Sequence, residues 1–209
     1  MHCLRPLLLM SLLLSAASAR AAERVVTIAP HLAELVCVAA GCEQLVAVTA
    51  YSDYPPEIRK LPKVGDVAQL NLEALLALRP TRVIAWQGGT PTAQLARLRS
   101  VKLPVTMLRI EHLDDVATAL IELGRVLGTP ARAQAAAQDY QQRLAALRLR
   151  HADATPVRVL YQIETAPVYS INRMSPISEA ITLCGGINVF ANLPTLAAPV
   201  TDEAVLGTH

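Results

Sequence analysis

Residues 130–154 read PARAQAAAQDYQQRLAALRLRHADA, and the architecture of the chain is organised around them. A proline stands at its start, where it suits the first turn of a helix, and the interior holds neither glycine nor a further proline. Good helix formers fill the remaining positions, so the stretch predicts a single helix of about six turns. That length exceeds what a crossover within one compact lobe needs, and we interpret the helix as a rigid brace between two lobes.

Short apolar strands alternate with helical patterns before this brace. The strands are predicted at 24–30, 45–50, 83–86 and 105–108, and the helices at 31–42, 72–78, 91–102 and 113–129. Parallel strands need long crossover connections, which helices supply. The alternation therefore predicts a mostly parallel sheet that is covered by helices on both faces.

The strand–helix pattern resumes after the brace, with strands predicted at 157–163 and 188–190 and a helix at 175–186. The predicted fold class is α/β, with two Rossmann-like lobes of parallel sheet joined by one long rigid helix. We divide the chain into an N-terminal lobe at 23–128, a linking helix at 129–154 and a C-terminal lobe at 155–209. The second lobe has about half as many residues as the first, so it is expected to be truncated.

Residues 1–22 have the three parts of a secretory signal peptide. Arg5 supplies a positive start, residues 7–14 form an apolar core, and two small-x-small motifs follow at 17–21. An N-terminal membrane anchor is the alternative, but the apolar core is too short to span a bilayer. We therefore predict that the chain is exported and that the signal peptide is cleaved.

Composition and missing motifs exclude several function classes. The chain has 19 Lys+Arg against 17 Asp+Glu and no basic stripe with interleaved aromatic residues, so no nucleic-acid partner is expected. It contains no GxSxG, HExxH, GxxxxGK[ST] or strand-following GxGxxG pattern. An exported α/β enzyme is therefore a weaker hypothesis than a binding protein, and no cofactor is predicted.

Three cysteines lie beyond the signal peptide: Cys37, Cys42 and Cys184. Cys37 and Cys42 could pair with each other in an oxidising compartment, or all three could be small buried residues. No CxxC or HxxxH spacing is present, so the sequence predicts no metal site.

Flat side chains collect where the predicted strands end. Ligands of open α/β sheets bind at the carboxyl ends of the strands, and Tyr51, Trp86 and Tyr169 all fall at such ends in a chain with only 5 Tyr, 1 Trp and 1 Phe. Two prolines stiffen the YSDYPP stretch at 51–56. The pattern predicts a stacking wall for a large, partly apolar ligand. The alternative is that Tyr51 and Tyr54 only cap the rim of the core, with their hydroxyl groups in water. His31 by itself is typical of a polar residue at the rim of a core.

A weak internal repeat links the two halves of the chain. Its matches pair Glu34 with Glu179, Gly41 with Gly186 and Glu73 with Glu203, in the same order in both halves. Alone, each of these glutamates would be an ordinary solvated helix residue.

Four stretches in a fixed order resemble the periplasmic cobalamin-binding proteins of the BtuF type. They are RVVTIAPHLAELV, LVAVTAYSDYPPEIRKLPKVGD, LNLEALLALRPTRVIAW and LCGGINVFANLP, and the resemblance extends over residues 24–206. These proteins are substrate-binding components of ABC importers, with two α/β lobes on one long helix. The resemblance implies a monomer that captures cobalamin or a related corrinoid and delivers it to a membrane permease and its ATPase. Haem- and siderophore-binding relatives share the fold and supply the alternative ligand classes.

The resemblance also implies roles for individual residues. Ligand-binding positions are Tyr51, Trp86, Tyr169, Val67, Gly88 and His31. Val67 stands where relatives of this type have a stacking tryptophan, so it would offer the ligand a smaller stacking surface. Glu73 and Glu203 match two surface carboxylates, one in each lobe, that dock onto arginines of the permease. Cys184 matches a cysteine whose disulfide partner lies further along in the family and is missing from this chain.

Overall fold

The structure is a computed structural model that describes residues 23–66 and 69–208. The predicted signal peptide at 1–22 and the predicted pocket residue Val67 lie outside the described residues. No helix within the described ranges is long and apolar enough to cross a membrane.

The first lobe is built on a four-stranded parallel sheet in the order β2-β1-β3-β4. The strands are β1 (Val25–Thr27), β2 (Leu45–Ala47), β3 (Arg82–Trp86) and β4 (Val105–Leu108). All three residues of β1 are buried, as expected for a central strand that is covered on both faces. The parallel sheet predicted for this lobe is confirmed.

Helices cover both faces of this sheet. They are α1 (Pro30–Val38), α2 (Leu72–Ala77), α3 (Thr92–Ser100) and α4 (Asp115–Leu127). One core cluster joins the sheet to α1 and α4 through residues such as Leu32 and Leu120. The other joins it to α2 and α3 through Leu75 and Leu98. Burial of apolar side chains on both faces supplies most of the stabilisation of such a layered lobe.

The long predicted helix is α5 (Pro130–Arg150), with 21 residues. It starts just after Gly128, which ends α4 in a left-handed conformation at φ 73°. The two helices approach closely, because a Cβ placed on Gly124 would lie 2.3 Å from the Cβ of Ala133. The lobe boundaries at 128–129 and 154–155 stay a prediction.

The second lobe contains one parallel and one antiparallel sheet. Its elements are β5 (Val157–Val159), β6 (Glu164–Thr165), β7 (Val168–Ile171), α6 (Pro176–Leu183), β8 (Gly186–Asn188), β9 (Ala197–Val200) and α7 (Asp202–Leu206). The pair β5–β8 is parallel, as predicted. The antiparallel sheet β6-β7-β9 was not predicted: residues 168–170, expected to be a loop, form most of β7. A tight connection at Ala166 and Pro167 returns the chain antiparallel to β6.

The cysteines are divided between one disulfide and one free thiol. Cys37, on α1, is bonded to Cys42 just beyond the helix, with Cα atoms 4.1 Å apart. Of the two alternatives that the sequence left open, the Cys37–Cys42 pairing is confirmed. Cys184 is a free and exposed cysteine.

Candidate ligand-binding cleft

A cavity of about 660 Å³ lies between the two lobes. The first lobe contributes residues that follow β3 and β4, and the second contributes those that follow β7. The lining residues are Trp86, Gln87, Gly88, Ile110, Glu111, His112, Asn172, Arg173, Met174, Pro176, Pro194 and Leu196. This is the carboxyl edge of the first sheet, where open α/β folds bind ligands, and the volume is typical of small-molecule sites.

A second cavity of about 390 Å³ extends the cleft toward α6. It shares Glu111, His112 and Arg173 with the larger cavity and is also lined by Glu179. The two cavities are therefore adjacent, and together they make up the cleft between the lobes.

Trp86 is the last residue of β3, and its neighbours hold its ring in place. The backbone N–H of Trp86 donates to Thr90 Oγ1 at 3.0 Å, and the Thr90 N–H donates back to the Trp86 carbonyl at 3.0 Å. The ring lies directly on Gly89, where an added Cβ would fall 1.9 Å from a ring carbon. The rings of Trp86 and His31 meet edge to face, with centroids 5.0 Å apart and planes at 88°. Such edge-to-face pairs are favourable beyond their buried area.

His31 stands at the first turn of α1 and belongs to the wall behind Trp86. It lines a separate cavity of about 350 Å³ between α1, α4 and α5. Burial lowers the pKa of His31 below its ordinary value, so the imidazole that supports Trp86 is neutral at neutral pH.

We expect Gly89→Ala to displace the Trp86 ring, because the added methyl group needs space that the ring occupies. Trp86 is the single tryptophan of the chain, so its fluorescence reports this change directly. The emission maximum should move to longer wavelength as the ring becomes more exposed to water. Pro91→Ala, at an exposed position just beyond the loop, should leave the emission as in the wild type. An unchanged spectrum in Gly89→Ala would contradict the packing of the ring on Gly89.

Tyr51 presents its ring to solvent from a stiff loop. Its backbone is left-handed at φ 63° and its side chain is 80% exposed. Bulky residues rarely adopt this conformation unless the surrounding structure imposes it. Here the flanking backbone is held, because Ala50 N–H donates to the Gly65 carbonyl at 2.8 Å and Lys63 Nζ donates to the Ser52 carbonyl at 3.1 Å.

Of the other predicted ring positions, Tyr169 lies within β7, paired with Glu164 and Pro199, and is half-buried. Neither Tyr51 nor Tyr169, both within the described residues, lines the 660 Å³ cavity, whereas Trp86 and Gly88 do. The second wall of the cleft is instead formed by residues 172–174, which follow β7. A strand predicted at 168–171, in place of a loop, would have put the strand-end loop at 172–174.

The turn at 172–174 is held by the buried side chain of Asn172. Its Oδ1 accepts from the Met174 N–H at 2.9 Å, and its Nδ2 donates to the Leu193 carbonyl at 3.3 Å. Arg173 and Met174 are thereby presented at the cleft, and Met174 is 67% exposed. Sequence reasoning did not identify these residues.

A polar contact joins the lobes at the rim of the cleft. Glu179, on α6, accepts the Leu113 N–H at 2.8 Å and lies 3.9 Å from Arg148 of α5. Arg148 also donates to Asp114 at 2.9 and 3.2 Å, and this bond raises the pKa of Arg148. Tyr140, also on α5, donates its hydroxyl to the Leu113 carbonyl at 2.9 Å. These bonds hold both lobes against the linking helix.

Glu73 and Glu203 occupy the same position in two short helices, one in each lobe. Glu73 follows the N-cap Asn71, whose side chain accepts the Ala74 N–H at 3.0 Å. Glu203 follows the N-cap Thr201, whose hydroxyl accepts the Ala204 N–H at 3.2 Å. Both glutamates are exposed. Hydrogen bonds from its own backbone N–H and from Thr201 hold the pKa of Glu203 below its ordinary value, so it is charged at neutral pH.

The family model described as "Periplasmic binding protein" matches residues 25–208. This chain belongs to the periplasmic binding protein family. Among its curated relatives, the vitamin B12-binding protein of Pectobacterium carotovorum is 37% identical over 202 residues, which cover 95% of this chain and 72% of the relative. The vitamin B12-binding protein of Vibrio cholerae is 36% identical over 185 residues, with 88% of this chain and 67% of the relative covered.

Solved structures agree with this assignment. The periplasmic vitamin B12-binding protein BtuF of Vibrio cholerae superposes with a TM-score of 0.83 at 35% identity, covering 89% of this chain and 73% of that chain. The periplasmic haem-binding protein RhuT of Roseiflexus gives 0.78 at 26% identity, covering 90% and 73%. The predicted resemblance and fold class of this periplasmic binding protein are thus confirmed, and the relatives named here are binding proteins.

Proposed function

We propose that the chain is the substrate-binding protein of an ABC importer and captures cobalamin or a related corrinoid in the cleft between its lobes. The observation that carries this proposal is the position of Trp86, a fixed flat ring on one wall of a cleft at the carboxyl ends of the strands. A corrinoid is a broad, partly apolar macrocycle, which suits an aromatic surface with polar groups around it. The vitamin B12-binding relatives support the same ligand class.

Further ligand contacts belong to this proposal. Gly88 would let a macrocycle approach the backbone, since nothing lies within 4 Å of a Cβ placed there. Tyr51 would stack from its stiff loop, which explains why a bulky residue is held at positive φ with its ring in solvent. Tyr169 and Val67 remain proposed ligand contacts on the strength of the resemblance alone, and His31 would act from behind Trp86 by holding its ring.

Delivery would use the exposed carboxylates of Glu73 and Glu203. Glu73 and Glu203 are exposed, one on each lobe, and would form charge-assisted pairs with arginines of a permease and ATPase complex at the inner membrane. The chain would act in the periplasm as a monomer and carry out no covalent chemistry on its ligand.

Equilibrium dialysis against cyanocobalamin tests the ligand class. We expect about one cobalamin to be retained per chain, with micromolar affinity or tighter, corresponding to at least about 8 kcal/mol of binding free energy. Haemin and a ferric siderophore serve as the competing ligands in parallel cells. Retention of haemin with a shifted Soret band, and no retention of cobalamin, would assign the chain to the haem-binding branch instead.

A further inference from the structure

We propose that His112 is an axial ligand for the cobalt of the corrinoid held in the cleft, an inference that rests on the proposed function. His112 lies where the two cavities of the cleft meet and lines both of them. Its side chain is 69% exposed, so the imidazole is accessible from the cleft. Among the histidines at 23–66 and 69–208, His112 is the one that lines these two cavities. His31 lines the separate cavity behind Trp86.

The backbone around His112 is held in place by the first turn of α4. Asp115 Oδ2 accepts the His112 N–H at 2.8 Å and the Glu111 N–H at 2.9 Å. These two bonds also hold the pKa of Asp115 below its ordinary value. The imidazole therefore projects from a fixed turn, so less ordering entropy is lost when it binds a ligand atom.

A carboxylate from the other lobe lies beside the ring. Nδ1 of His112 is 3.6 Å from Oε2 of Glu179. That oxygen is itself fixed by the Leu113 N–H at 2.8 Å, and the other carboxylate oxygen lies 3.9 Å from Arg148. Histidines that bind metals commonly direct their second ring nitrogen at a carboxylate, which sets the tautomer and increases the basicity of the coordinating nitrogen. The arrangement assigns Nδ1 to Glu179 and leaves Nε2 for a metal; within the described ranges Nε2 makes no hydrogen bond.

The proposed step is a ligand exchange without redox change. In aquacobalamin a water molecule occupies one axial position of Co(III). The imidazole donates the Nε2 lone pair to cobalt, the bond between cobalt and water breaks, and the water leaves. Cyanocobalamin carries a firmly bound cyanide at that position, so it can enter the same cleft but offers no exchangeable water on that face of the corrin ring.

The experiment compares these two cobalamins on the wild-type chain, His112→Ala and the control His151→Ala. His151 lies at the end of α5, away from the cleft. His112→Ala should fold as the wild type does, because the N–H of residue 112 can still donate to the Asp115 carboxylate. The His112 side chain is also mostly exposed, so its removal leaves no buried cavity. Visible absorbance is recorded during titration, with the imidazole complex of free cobalamin as the spectral reference.

On the wild-type chain and on His151→Ala, aquacobalamin should take on the spectrum of the imidazole complex. His112→Ala should abolish that change and weaken aquacobalamin binding about tenfold or more, while its affinity for cyanocobalamin stays within about twofold of the wild type. Aquacobalamin that binds with an unaltered spectrum, or a change that persists in His112→Ala, overturns the axial role. Failure of the wild-type chain to bind cyanocobalamin overturns the proposed function instead, so the two proposals fail separately.

Discussion

The double variant Glu73→Arg and Glu203→Arg should reduce cobalamin uptake by about a hundredfold or more. The reason is that disrupting a hydrogen-bonded charge pair at an interface costs about 2–5 kcal/mol. Each arginine would face a positive group of the permease instead of pairing with it. Uptake of labelled cobalamin is the measurement, in cells that carry the cognate permease and lack their own binding protein. Both side chains are exposed and neither lines the cleft, so the affinity of the purified variant for cobalamin should stay within about twofold of the wild type.

The matched control is the pair Glu34→Arg and Glu164→Arg. It makes the same change in net charge, again at one exposed glutamate in each lobe, but at neither proposed docking position. Normal uptake in this control would show that the effect depends on position and not on total charge. A loss of cobalamin affinity as large as the loss of uptake in the first pair would contradict the docking role, as would normal uptake.

Replacing Asn188 with leucine should lower the free energy of unfolding by about 3 kcal/mol. Asn188 is 6% exposed, and its Nδ2 donates to the Ile171 carbonyl at 2.9 Å and to Ser178 Oγ at 2.6 Å. Its Oδ1 accepts the Phe190 N–H at 2.9 Å. Leucine is of similar size, so the cost comes from buried polar groups left without partners and not from a cavity.

Urea denaturation followed by circular dichroism measures the change, with Asn192→Leu as the control. Asn192 is exposed on the same segment, so its replacement should shift stability by less than about 0.5 kcal/mol. Ser178 Oγ also donates to the Asn172 carbonyl at 2.7 Å, which connects this network to the wall of the cleft. A loss below about 1 kcal/mol in Asn188→Leu would mean that the network contributes little to the second lobe.

Local signals were sufficient for much of the fold. The strand at Val105–Leu108 and the helix that starts at Pro130 were both predicted from short-range pattern, because burial of β-branched residues and helix propensity act over neighbouring positions. Trp86 was located as a cleft residue because it ends a strand, and the ends of parallel strands meet at one edge.

Contacts between distant segments escaped prediction for a physical reason. The antiparallel pairing of Val168–Ile171 with Ala197–Val200 crosses almost thirty residues of chain, and strand propensity does not identify the partner. His112 was not among the site residues predicted from the sequence. Its place at the junction of two cavities, 3.6 Å from Glu179, depends on how α6 packs against the start of α4.

The amino-acid sequence alone was sufficient to predict the α/β class, the long linking helix, the family and the candidate ring at Trp86, because each rests on periodicity, on propensity or on motifs and their order along the chain. The three-dimensional structure was needed to establish which side chains share the cleft, how Glu179 joins the lobes and where the second wall lies. Those properties depend on the three-dimensional packing of segments that are far apart in the chain, and no single stretch encodes that packing.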